Sequence, residues 1–130
     1  MKTILAALTF TLLTTNSFAQ TSETPIQNIS TDSCVVYRLF ATKNMYNFIK
    51  LNTRNGKMTQ IQWGTEDKYR FETTLSDISL VSADEEKDGM FFLYPTTNNY
   101  NFILLDQIDG RAWQVQWSTD KEERMVIRIY

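Results

Sequence analysis

The chain has 130 residues, 13 basic against 15 acidic side chains, no histidine and one cysteine. That length fits one ordinary domain, and the near-neutral balance gives no electrostatic case for nucleic acid. Without histidine there is no Ser-His-Asp triad, Cys-His pair or histidine-bearing zinc site, and a lone cysteine forms neither an intrachain disulfide nor a thiolate cluster.

Residues 1–19 read as an export signal. Met1-Lys2 gives a positive start, Thr3 to Leu13 is an apolar run broken only by threonines, and Ser17-Phe18-Ala19 offers the small residues that signal peptidase reads. The run is too short to cross a bilayer core of about 30 Å. Cleavage is expected after Ala19, with no cysteine there to carry a lipid, so a secreted or periplasmic protein without a membrane anchor is expected. Residues 20–33 are rich in Thr, Ser, Gln and Asn, carry Pro25, and read as a flexible tail. Asn28-Ile29-Ser30 fits the N-glycosylation sequon.

The strongest pattern is an internal duplication with an offset of 54. Thr42 to Asn52 aligns with Thr96 to Asp106, Asn55-Gly56-Lys57 with Asp109-Gly110-Arg111, and Gln60 to Trp63 with Gln114 to Trp117. Over residues 42–65, 12 of 24 positions are identical to those 54 further on, without a gap, so each copy needs the same local structure.

Taken in chain order, the first copy predicts strands at Val35–Ala41, Tyr46–Asn52, Lys57–Trp63 and Tyr69–Leu75. The second predicts Met90–Tyr94, Tyr100–Asp106, Arg111–Trp117 and Arg124–Tyr130. Asn55-Gly56 and Asp109-Gly110 are hairpin signals, each glycine suiting the left-handed position that closes a four-residue connection. Alternation puts Trp113, Val115 and Trp117 on one face and Gln114 and Gln116 on the other. The same reading of the first copy puts Thr59, Ile61 and Trp63 in the core, with Gln60 and Gln62 on the wet side. Tyr100, Phe102 and Leu104, with Ile103 and Leu105 opposite, predict a central strand covered on both sides. The acidic stretch from Asp77 to Gly89 reads as a solvated linker. The expected fold is all-β: residues 34–130 form a single domain of two tandem four-stranded antiparallel units, 35–75 and 89–130. The units are either blade-like or joined in an eight-stranded sandwich or barrel.

The hairpin from Phe102 through Leu105-Asp106 and Gly110-Arg111 to Trp113 resembles hairpins of β-propeller blades. Tyr94-Pro95-Thr96 through Trp117 also resembles paired segments of small secreted proteins of gut Bacteroidetes. The first copy departs from that pattern at Ala41, Asn52 and Thr59, where the pattern has proline, aspartate and tryptophan. These resemblances imply export and repeat architecture. If the units are blades, two are too few to close a propeller, and by analogy with small two-blade lectins a homo-oligomer of three chains and six blades follows.

Two constellations are candidate binding features. Gln60, Gln62, Gln114 and Gln116 either form a ligand edge reading sugar hydroxyls or pair as amides on a wet sheet face. Asn44 with Tyr46, and Asn98 with Tyr100, mark polar, aromatic loop-to-strand junctions, where asparagine also serves local turn bonds. Glu66, Asp67, Asp120, Glu122 and Glu123 fall in loops and read as solvated rather than as an acid–base pair. Asp106 and Asp109 read as a hairpin cap, since a calcium site needs more oxygen ligands. Cys34 reads as a small buried residue before the first strand, or else as an intermolecular disulfide.

The sequence thus predicts a secreted, non-enzymatic binding module with two equivalent sites for a glycan or an extracellular protein, with no cofactor, metal or catalytic residue. The alternative is an exported structural or interaction protein (inhibitor, effector or assembly component) that works by sheet-edge or surface pairing. A hydrolase using carboxylates alone ranks third.

Overall fold

The computed structural model describes residues 32–130. The export signal, the sequon at Asn28 and nearly all of the N-terminal tail lie outside the described residues. Among the described residues eight strands follow one another: β1 Tyr37–Ala41, β2 Asn47–Asn52, β3 Met58–Gln62, β4 Phe71–Ser76, β5 Phe91–Pro95, β6 Asn101–Asp106, β7 Ala112–Gln116 and β8 Met125–Ile129. They form two separate four-stranded antiparallel meanders, β1-β2-β3-β4 and β5-β6-β7-β8, and among the described residues no barrel closes. β4 starts later than the pattern suggests because Asp67–Tyr69 forms a short 3-10 turn, matched in the second unit by Lys121–Glu123.

The duplication extends to the pairing register. Tyr37 faces Asn52 as Phe91 faces Asp106, and Asn47 faces Gln62 as Asn101 faces Gln116. The first unit alone breaks register, where Met58 and Thr59 of β3 face Ser76 and Thr74 and leave Leu75 of β4 as the extra residue. Both hairpins close on a positive-φ glycine, Gly56 at 80° and Gly110 at 78°. Their N–H groups donate to Asn52 O and Asp106 O at 3.0 and 2.9 Å. Here the left-handed conformation is cheap only for glycine.

The two sheets pack face to face, most closely where β2 approaches β5 and β4 approaches β8. Phe40, Ile49, Leu51, Met58 and Leu75 of the first unit meet Phe91, Leu93, Phe102, Leu104, Trp113, Val115 and Trp117 of the second. These sets do not correspond under the 54-residue offset. In β2 the buried positions are Asn47, Ile49 and Leu51, whereas in β6 they are Phe102, Leu104 and Asp106. The first unit therefore buries one face of the shared motif and the second unit buries the other.

This corrects the first-copy assignment drawn from alternation. Thr59, Ile61 and Trp63 lie on the open side of β3, and Gln60 lies inside, 2% exposed. Two sheets stacked in the same orientation bring the upper face of one against the lower face of the next, so identical motifs bury opposite sets. It also corrects the expectation that β6 is covered on both sides. β6 is central in its sheet, but Ile103 and Leu105 are only half-buried within the chain.

The linker after β4 is more than a solvated spacer. Leu80 and Val81 pack on the core, Leu80 N–H donates to Asn55 O at 2.8 Å, and Arg54 pairs with Glu86 and Asp88. The Asp88 carboxylate, by hydrogen bond and charge, raises the Arg54 pKa. Cys34 is exposed, not buried, because it precedes β1 in a turn where its N–H donates to Asp32 Oδ1 at 2.8 Å.

Candidate functional site

The Asn/Tyr junctions are built twice with the same bonds. Thr42 Oγ1 accepts from Asn44 N–H at 3.2 Å and donates to Asn47 O at 2.8 Å. Thr96 does the same with Asn98 at 3.1 Å and Asn101 at 2.7 Å. Asn44 Oδ1 and Asn98 Oδ1 then accept from Tyr46 and Tyr100 N–H, each at 2.9 Å. Short polar side chains bonding to nearby backbone are what turns a chain this tightly. The asparagines therefore shape the loops that carry the tyrosines.

Each tyrosine rests beside the tryptophan that follows the third strand of its unit. Ring centroids are 5.2 Å apart for Tyr46 and Trp63, and 5.4 Å for Tyr100 and Trp117. The indole N–H donates to Met45 O at 2.8 Å in one unit and to Asn99 O at 3.0 Å in the other. An indole N–H turned toward the protein needs such a partner. The two loops are neighbours, since Lys43 Nζ donates to Thr97 O at 2.6 Å. Tyr46 and Tyr100 are both solvent-facing, 46% and 52% exposed.

The glutamines divide into three roles. Gln62 and Gln116 brace the turn before the fourth strand, donating to Tyr69 O at 3.2 Å and Glu123 O at 2.8 Å. Gln60 is locked between the sheets, its Nε2 donating to Ser118 O at 3.0 Å while its Oε1 accepts from Ser118 N–H at 3.2 Å. Gln114 is exposed on the open face of the second sheet and donates to Asn101 Oδ1 at 2.8 Å. Gln60, Gln62 and Gln116 are thus engaged with backbone groups and Gln114 with a side chain.

The tryptophans differ where their surroundings match. Trp117 is 2% exposed because its side of β7 faces the first sheet, whereas Trp63 is 43% exposed. In the first unit the open tryptophan borders a cleft of about 360 Å³ with Tyr46, Gln62 and Tyr69. The tyrosine loops thus match in the two units, while the tryptophan beside Tyr46 is open and the one beside Tyr100 is covered. The signal for this was present in the departures of the first copy. Lys50 and Thr59 replace Leu104 and Trp113, and both fall on the face left open.

The carboxylates have structural duties. Asp106 is fully buried; its Oδ1 accepts from Ile108 and Asp109 N–H, and its Oδ2 accepts from Arg111 Nε at 2.9 Å. Burial by itself would raise its pKa, but those two N–H groups and the guanidinium outweigh burial and hold the carboxyl below the ordinary aspartate range. Arg111 moves oppositely, raised first by its bond to Asp106 and further by Glu85.

No protein-family model, curated protein or solved structure matches the chain. Among the described residues, no helix is long and apolar enough to cross a membrane.

Proposed function

We propose that this is an exported, non-enzymatic binding module that takes a glycan on its paired tyrosine loops. Export rests on the leader pattern of residues 1–19. One observation carries the binding reading: Tyr46 and Tyr100 stand exposed on neighbouring loops, each held by the same asparagine turn and by a tryptophan ring beside it. A tyrosine fixed in this way offers an apolar ring with a polar tip, and its pose is set before the ligand arrives. The ring suits the apolar face of a sugar, and the neighbouring loop backbone supplies groups for its hydroxyls. Two like loops bind a repeating ligand with more avidity than either alone.

The test is a glycan array probed with the parent, Tyr46→Ala and Tyr100→Ala. Saturable binding that weakens in each variant and vanishes in the double variant is the expected result. A folded parent that binds no sugar at any concentration overturns the reading. The alternative of an exported interaction protein working through its sheet surfaces is favoured by a separate observation, the two open apolar faces.

A further inference from the structure

We infer that copies of this chain associate head to tail, the open face of the second sheet in one copy packing on the open face of the first sheet in the next. This goes beyond the glycan reading and stands whether or not the loops take a sugar. It follows from the opposite faces that the two units bury. An interface between like surfaces of two units leaves nothing complementary behind. An interface between unlike surfaces leaves one of each kind exposed, and repeats until the chain of units closes or runs on.

Both unused surfaces are present. The open face of the second sheet carries Tyr94, Ile103 and Leu105, the counterparts of Phe40, Ile49 and Leu51, and those three are fully buried in the internal interface. The open face of the first sheet carries Leu39, Phe48 and Ile61, the counterparts of the buried Leu93, Phe102 and Val115. Leu39 and Tyr94 are exposed and the other four half-buried, and apolar residues left open together on a sheet face mark an interaction surface.

The positions that make the polar anchor of the internal interface are present on the open faces as well, with Gln114 Nε2 donating to Asn101 Oδ1 in the single chain. Gln60 bonds to the backbone N–H and C=O of Ser118. Its counterpart is Gln114, and the counterpart of Ser118 is Gly64, whose backbone offers the same donor and acceptor whatever its side chain. The open face of the first sheet also holds Lys50 paired with Glu72. The Lys50 ammonium and then the Thr59 hydroxyl hold the Glu72 carboxyl below its usual range. That pair neutralises itself, so the joint between copies is more polar than the joint within one.

Two variants separate this arrangement from every symmetric one. Leu39→Glu spoils the first-sheet face and Tyr94→Glu the second-sheet face. Both side chains are solvent-facing in the single chain, and circular dichroism and melting verify that each variant folds. The chain released by an exporting host is followed by light scattering after size exclusion, with reductant present to exclude a bridge through Cys34. The parent is expected at a multiple of the chain mass, constant with concentration for a closed ring and rising with it for an open stack. Each variant alone is expected as a monomer. Their mixture is expected to form a one-to-one pair, since each variant keeps the face the other has lost. A monomeric parent at every concentration overturns the inference. So does an assembling parent from which only one variant departs, or a mixture that fails to pair.

Discussion

The two units of this protein share a strand order, a register and half of their central sequence, yet they bury opposite sides of the same motif. Ile49 is inside and Ile103 half-open; Trp117 is inside and Trp63 exposed. The comparison teaches that a repeated motif fixes backbone and hydrogen bonding while leaving open which face becomes core. That choice belongs to the stacking of one sheet on another.

The sharpest way to break the comparison is to truncate the matched tryptophans. Trp117→Ala, which empties a core position, is expected to cost about 3–5 kcal/mol. Trp63→Ala, losing one hydrogen bond and partial burial, is expected to cost about 1–2 kcal/mol. Denaturant midpoints in a monomeric Tyr94→Glu background measure both, and equal losses would show that the units do not differ in this way.

The hairpin glycines give a second contrast, intermediate in size. Valine at either position meets the left-handed penalty of about 1–2 kcal/mol. At Gly56 an added Cβ also comes within 2.8 Å of Leu80 Cδ1, whereas at Gly110 it meets nothing within 4 Å. Gly56→Val is therefore expected to lose about 1–3 kcal/mol more stability than Gly110→Val, seen as the lower melting midpoint of the two. The reverse order would deny the linker its hold on the first hairpin.

The smallest expected effect concerns the residue that opens each hairpin, Asn52 in one unit and Asp106 in the other. Asp106→Asn keeps an acceptor for the loop N–H groups, as Asn52 does for Arg54 at 3.0 Å, but unpairs Arg111. A loss of about 1–2 kcal/mol at neutral pH is expected. Because the folded carboxyl titrates below its unfolded value of about 3.9, its contribution is complete above that pH and fades as pH falls through the folded value. Parent and variant stabilities should thus converge in acid. A gap that stays constant with pH would remove the charge of Asp106 from the account.

Much of the fold was legible because it is local. All eight strands, the 54-residue period and the two glycine turns follow from alternation and turn chemistry, and the pairing of strands then follows from short connections. The Asn/Tyr junctions were legible for the same reason, since their bonds span only a few residues. Three things were not. The inward side of β3 was misread because Thr59-Gln60-Ile61-Gln62-Trp63 alternates cleanly whichever way it faces, and the large tryptophan pointed to the core side. Gln60 looked like a surface amide because its partner, Ser118, lies 58 residues away. The linker looked solvated because its charged residues outnumber Leu80 and Val81, although its acidic side chains pair with Arg54 and Arg111.

What the sequence alone determined is the repeat, the meander of each unit and the loops that hold Tyr46 and Tyr100, all products of bonds between near neighbours. Only the tertiary structure decided which face of each sheet is core, hence that Trp63 stays open while Trp117 is covered. A single strand is symmetric with respect to the two sides of its sheet until another sheet arrives, and the order in which two copies stack breaks that symmetry.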